Sequence, residues 1–340
     1  MRKKVLFIDY ILEKGHVNFN HIHIDALKQC GFDVHLILHQ LIANNLPYEA
    51  NQYVAFIPPI LRKREGHPLL NRVIFLLTLL YIKFKVRFKD YDHVIISSLD
   101  EISLGLLPLC NNMQIICHRN AIGLGNSIKR TFLKRLAKHS DFIVFNESMA
   151  EPFRQRGIDN VHIISHGVMP ACNSAPSSEH SHKDIQLFHP SVGSDEIFLR
   201  ELLSSEDFQQ FLADEHIIFT LRSHLDIMPS SDRIRIIREF LPQKEYQKLF
   251  LNSDVILIIY PSTFRFTVSA VSFECVTYKK KALIKNNMAL SYCKEFFNYN
   301  PFFDNISQLK ERLSYIIHHQ EAQCCIATSD LTPDYTDILK

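Results

Sequence analysis

Residues 253–284 read SDVILIIYPSTFRFTVSAVSFECVTYKKKALI, and their order decides how the rest of the chain is read. Residues 255–260 are a continuous apolar, β-branched run, the composition of a strand buried on both faces of a parallel sheet. Pro261, Ser262 and Thr263 make a turn. Val268, Val271, Phe273 and Val276 then recur at helical spacing, and a second apolar run ends at Ile284. Strand, turn, helix and strand follow without filler, which is the form of a nucleotide-handling βαβ unit. Glu274 sits inside the helix. It is either a solvated helix carboxylate or one that accepts hydrogen bonds from ribose hydroxyls.

The N-terminal region repeats this pattern. Lys3 and Lys4 lead into VLFID, a short buried strand, followed by a helix over residues 18–30 and a second strand over 32–38. Gly31 ends that helix, and Gly15 and His16 lie in the first strand-to-helix loop. HVIISS (93–98) and QIIC (114–117) read as further strands. His118, Arg119 and Asn120 therefore fall at the carboxyl end of a parallel strand, where open α/β sheets bind ligands. His166 and Gly167 follow the last strand of this half, and CNSAPSSEHSHKD (172–184) has the composition of a linker. In the second half, IQLFHPS delivers His189, Pro190 and Ser191 to a turn, and HIIFTLRSH ends on Arg222, the best candidate to neutralise a phosphate.

At 340 residues, with 46% hydrophobic and 22% charged residues, the chain has material for two cores. The expected organisation is a domain over 1–169, a linker over 170–183 and a domain over 184–340 whose last residues pack back on the first. A net charge of +2 gives no reason to expect nucleic acid as a partner. Eight cysteines without a CxxC pair read as thiols of a reducing compartment, and no spacing of the 18 histidines converges three metal ligands on one element. The apolar core at residues 5–8 is too short for a signal peptide, so the protein is expected inside the cell. Residues 62–89 carry an apolar centre (73–82) with basic residues on both flanks. That centre is about half the ~20 residues a bilayer span needs, leaving a helix packed in the core, one lying on an anionic membrane, or both.

The strand, turn and acid-bearing helix followed by KKKALI resemble the donor-binding segment of GT-B glycosyltransferases of the family 4 kind. QCGFDVHLI at residues 29–37 is similar to the end of their first helix, and the His166-Gly167-Val168 segment to the exit of their N-terminal domain. The resemblance implies an α/β fold of two Rossmann-like domains facing a cleft. It implies a metal-independent transferase, without cofactor, moving a sugar from a nucleotide-sugar donor to a glycan or lipid-linked acceptor in surface polysaccharide synthesis. With the short apolar core at 5–8 and the basic-flanked segment at 62–89, the expected setting is cytoplasmic, with a peripheral place on the inner face of the cell membrane if that segment lies on lipid.

Glu274 matches the second of the family's two glutamates; the first falls on Phe266, and the family's glycines on Thr267 and Ser269. Arg265 and Thr267 stand beside the altered position, and His118 matches a histidine that approaches the donor sugar. Catalytic roles thus fall on His118 and Arg265, and nucleotide-sugar binding on Gly15, His16, Ser191, Arg222, Leu241, Thr267, Ser269 and Glu274, with the backbone near Leu241 under the base. The family's Arg and Lys after the first strand of domain two are missing. Retention or inversion stays open, as do two other readings: a glycan-binding or assembly protein with a decayed site, and a UDP-sugar epimerase of the same fold.

Overall fold

Val5, Leu6, Phe7 and Ile8 have no solvent exposure, because this run forms the middle strand of a sheet covered on both faces. The computed structural model describes residues 2–12, 16–169, 184–191, 193–227, 231–239 and 241–339. Among them, β1 (Lys4–Ile8), β2 (Asp33–His39), β3 (Tyr53–Ile57), β4 (His93–Ile96), β5 (Met113–Ile116), β6 (Ser140–Val144) and β7 (Val161–Ile163) pair in parallel in the order β3-β2-β1-β4-β5-β6-β7. A second parallel sheet contains β8 (Ile185–His189), β9 (Ile217–Arg222), β10 (Ile234–Ile237), β11 (Val255–Ile258), β12 (Lys281–Lys285) and β13 (Phe302–Phe303), in the order β10-β9-β8-β11-β12-β13. Both orders are the doubly wound one. Each reverses direction once, between β1 and β4 and between β8 and β11, and such a switch point opens a ligand crevice at the strands' carboxyl ends.

The chain divides into two compact units. Unit 1 holds Met1–Gly167, Phe266–Val268 and Leu331–Lys340; unit 2 holds Val168–Arg265 and Ser269–Asp330. The proposed linker, residues 170–183, lies outside the described residues.

In unit 1 the C-terminal segment is fixed through a buried pair: the Tyr335 hydroxyl lies 2.7 Å from His23 Nδ1, and His23 Nε2 lies 3.2 Å from the His166 carbonyl. A carbonyl can only accept, so the His23 proton is on Nε2 and Tyr335 donates to Nδ1. The same turn needs Gly167, whose φ is +81° and whose added Cβ would come 2.2 Å from Ile22 Cγ2.

The helix expected at 268–278 spans Ala270–Thr277, and the strand after it is β12. Sequence reading assigned nothing to residues 286–330, where the helix Ile306–His318 buries Leu309, Leu313 and Ile316 in the core of unit 2. The seven cysteines among the described residues are free thiols, the vicinal Cys324 and Cys325 included.

Candidate functional site

The β1–β4 switch point of unit 1 is built around Asp9, the residue after β1. It is fully buried, and its carboxylate accepts from Ser98 Oγ at 2.5 Å, Asn20 Nδ2 at 3.0 Å and His16 Nδ1 at 3.1 Å. Burial by itself raises this carboxyl's pKa. The hydrogen bond and charge of His16, with the donors Ser98 and Asn20, outweigh that and hold it well below the usual carboxylate range. In the neutral form of the ring, with the His16 Nδ1 proton directed at Asp9, Nε2 is the acceptor.

His118 stacks against His16 with ring centroids 4.6 Å apart, and its Nε2 lies 2.9 Å from the Ser97 carbonyl. That contact places the His118 proton on Nε2 and leaves Nδ1 to accept. Burial, with the nearby His16, brings the His118 pKa down to about 3, and burial brings His166 to about 4. Phe19 packs edge-on to His118 and beside His16 and His166, giving the imidazoles an apolar floor. Gly15 lies outside the described residues. Thr267, which groups with unit 1, is buried.

In unit 2 the loops after β8, β9 and β11 meet around two tyrosines. Tyr246 donates to Glu274 Oε2 at 2.6 Å, and its ring lies under the Arg222 guanidinium at 5.9 Å. Arg222 Nη1 donates to the Pro190 carbonyl at 3.2 Å, while its Nε is buried without a hydrogen-bond partner. Burial raises the Glu274 pKa and the Tyr246 hydrogen bond opposes the rise. Ser191 donates to the Tyr260 hydroxyl at 3.2 Å, and Tyr260 lies 3.0 Å from Ser269 Oγ. Arg222 and Glu274 thus share one aromatic support, and Ser191 and Ser269 share another. Buried His189 underlies the first loop, with Nδ1 2.7 Å from the Leu257 carbonyl and Nε2 2.6 Å from Ser194 Oγ.

Two helices begin at this edge, and they differ in what their N-termini accept. The helix Glu196–Ser204 is capped by the Asp195 carboxylate and carries Glu196 in its first turn, so its positive end already faces negative charge. The Asp195 carboxylate is in turn paired with Lys285 Nζ at 3.2 Å. The helix Ala270–Thr277 is capped by the neutral Ser269 hydroxyl and has no acid in its first turn, which leaves its leading N–H groups suited to an anion. In the loop before it, Phe266 adopts φ +50°, so the backbone takes the left-handed turn there without a glycine. Arg265 is exposed and donates from Nε to the Ser262 carbonyl at 3.0 Å; among the described residues no hydrogen bond or ion pair joins it to the tyrosine-supported set. Leu241 is half-buried just before the helix Gln243–Asn252.

Asp9, Asn20, Tyr246 and Tyr260 did not emerge from sequence reading. Asp9 had a usable signal, an acid directly at the carboxyl end of the first strand. The tyrosines had none, since Tyr246 meets Glu274 at a separation of 28 residues and Tyr260 meets Ser191 at 69. Among the described residues, no group of three or more His, Cys, Asp or Glu could hold a metal ion.

Two doubly wound parallel sheets, each with polar groups gathered at its switch point, define the GT-B class of fold, that of nucleotide-sugar glycosyltransferases and a UDP-sugar epimerase. Solved structures agree. A Listeria monocytogenes protein assigned as a UDP-N-acetylglucosamine 2-epimerase matches with a TM-score of 0.61 and 10% identity, over 100% of this chain and 94% of that one. The α,α-trehalose-phosphate synthase (UDP-forming) of Burkholderia vietnamiensis matches at 0.59 and 9%, over 93% and 92%. An E. coli trehalose-6-phosphate structure bound with UDP-2-fluoro glucose matches at 0.59 and 10%, over 99% and 95%. No protein-family model and no curated protein sequence matches the chain. At such identities the likeness carries the fold, and function has to be argued from the sites.

Proposed function

We propose that the chain is a glycosyltransferase that takes a sugar from a nucleotide-sugar bound by unit 2 and passes it to an acceptor held by unit 1. The observation that carries the reading is Arg222, a half-buried guanidinium with an unpartnered Nε at the carboxyl edge of the β8–β11 switch, sharing Tyr246 with the carboxylate of Glu274. A diphosphate satisfies that Nε and the leading N–H groups of Ala270–Thr277, and ribose hydroxyls donate to Glu274. These groups stabilise the charge of the departing diphosphate without a metal. In unit 1, His16 Nε2, oriented by Asp9, accepts the proton of the attacking hydroxyl, and neutral His118 accepts a sugar hydroxyl at Nδ1. Among the described residues no helix is long and apolar enough to cross a membrane. We place the enzyme peripherally on the inner face of the cell membrane, in surface polysaccharide synthesis.

Calorimetry with nucleoside diphosphate tests the donor site. Glu274→Gln keeps the shape but loses a charged acceptor, so affinity falls roughly ten- to a hundredfold, equivalent to about 1.5–3 kcal/mol. Arg222→Ala weakens diphosphate binding more than nucleoside binding. If both folded variants bind as the wild type does, the donor site lies elsewhere. The paired imidazoles also suit proton removal from a sugar carbon, the chemistry of a UDP-sugar epimerase. Epimerised sugar released from the donor without any acceptor would select that reading, and diphosphate binding without turnover would select a glycan-binding protein.

A further inference from the structure

The helix Pro68–Lys85 of unit 1 has two apolar faces. Ile74, Phe75, Leu79 and Ile82 are buried in the core. Leu69, Val73, Leu77, Leu80 and Phe84 recur every three or four residues along the other side, at 74, 52, 48, 40 and 87% exposure. Beside the N-terminal half of this helix a pocket of about 600 Å³ opens against the loops after β4 and β5. Four cations line it, Lys63, Arg72, Arg119 and Lys129, with two acids, Asp100 and Glu101.

Both acids are already engaged. Buried Glu101 accepts from Lys129 Nζ at 3.1 Å and Asn120 Nδ2 at 2.8 Å, and Asp100 accepts from the Ser103 N–H at 2.8 Å and hydroxyl at 2.6 Å. Lys63, Arg72 and Arg119 have no ion-pair partner among the described residues, so the pocket keeps a surplus of positive charge. Two of the three are arginines, whose forked donors match phosphate oxygens. Arg72 in the pocket and Val73 on the exposed stripe are consecutive residues of one helix, and Lys83 and Lys85 lie at the far end of the stripe. A ligand suited to both features joins a phosphoryl group to a hydrocarbon.

We propose that this pocket binds the phosphate of a lipid-linked acceptor while the exposed stripe enters the leaflet that carries it. That the bound lipid phosphate is an acceptor rests on the transferase reading; the binding itself does not, and it is tested without donor.

Sedimentation with three vesicle compositions provides the test: phosphatidylcholine alone, phosphatidylcholine with phosphatidic acid, and phosphatidylcholine with phosphatidylglycerol matched for surface charge. The wild type is expected to bind the phosphatidic acid vesicles at least tenfold more tightly than either other set. Arg72→Ala with Arg119→Ala removes that preference. Leu77→Ser with Phe84→Ser, both exposed positions, removes vesicle binding altogether. Equal binding to the two anionic sets reduces the pocket to a general basic surface and overturns the proposal. Undiminished vesicle binding by the serine variant overturns the insertion of the stripe into the leaflet, and with it the proposal as stated, leaving a pocket that takes the headgroup phosphate from the surface. Calorimetry with nucleoside diphosphate on the same proteins keeps the two readings apart: loss of donor binding by the wild type defeats the transferase reading and leaves the vesicle result standing.

Discussion

Asp9 shows how one residue can set the chemistry of its neighbours. A buried carboxylate is costly unless its lone pairs are met, and here His16, Asn20 and Ser98 meet them. The result is an imidazole with a fixed tautomer. Asp9→Asn would present an amide N–H₂ to groups that also donate, so kcat for transfer is expected to fall about a hundredfold, the scale of a displaced general base. Nucleoside diphosphate affinity, which the proposed function assigns to unit 2, is expected to hold. If steady-state kinetics show kcat unchanged and only the thermal midpoint lowered, Asp9 is a structural cap and nothing more.

At the scale of elements, the parallel strands set where loops end and the segments around them set which loops are held. The C-terminal segment is fixed to unit 1 by Tyr335, whose hydroxyl and ring are fully buried against His23. Tyr335→Phe keeps the ring and strands the His23 Nδ1 acceptor without a donor. A loss of about 1–3 kcal/mol is expected, read as a lower urea midpoint for unit 1. An unchanged midpoint would mean that solvent reaches Nδ1 and the segment is held by packing alone. His23 is also the helix residue that receives the turn around Gly167, so the same substitution loosens the end of β7.

For the whole molecule, acid is the informative variable. Burial holds His118 at about 3, His166 and His189 at about 4, and His23 well below its ordinary value. A folded-state pKa below the unfolded one, near 6.5, means that the unfolded chain takes up the proton first. The stability these imidazoles contribute is therefore complete above about pH 6.5 and is lost as pH falls toward 4. Asp9, also depressed, adds its own loss as pH falls through the ordinary carboxylate value of 3.8 and on below it. For fully buried His189 alone the cost at pH 5 is about 2 kcal/mol. Urea denaturation at pH 7 and pH 5 checks this for both units, since His189 belongs to unit 2 and the other three to unit 1. Equal midpoints would show that these rings are solvated in the folded protein.

By itself the sequence determined the class of fold. Residues 5–8, 36–38, 94–96, 115–116 and 255–258 are apolar without alternation because both faces of a doubly wound sheet are covered, and a pattern of that kind survives in a single chain. Gly31 and Gly167 were legible too, since each marks a positive φ that other residues adopt only at a cost. Phe266 shows the limit of that logic, for it takes the left-handed conformation with no glycine to announce it. Only the tertiary structure decided which polar groups belong together. Asp9 meets Ser98, Arg222 meets Pro190 and Tyr246 meets Glu274 across separations of 89, 32 and 28 residues. Periodicity reports which way a side chain faces its own element. Hydrogen bonds between loops depend on strand order, and in a parallel sheet that order is set by crossovers that leave no local trace in the sequence.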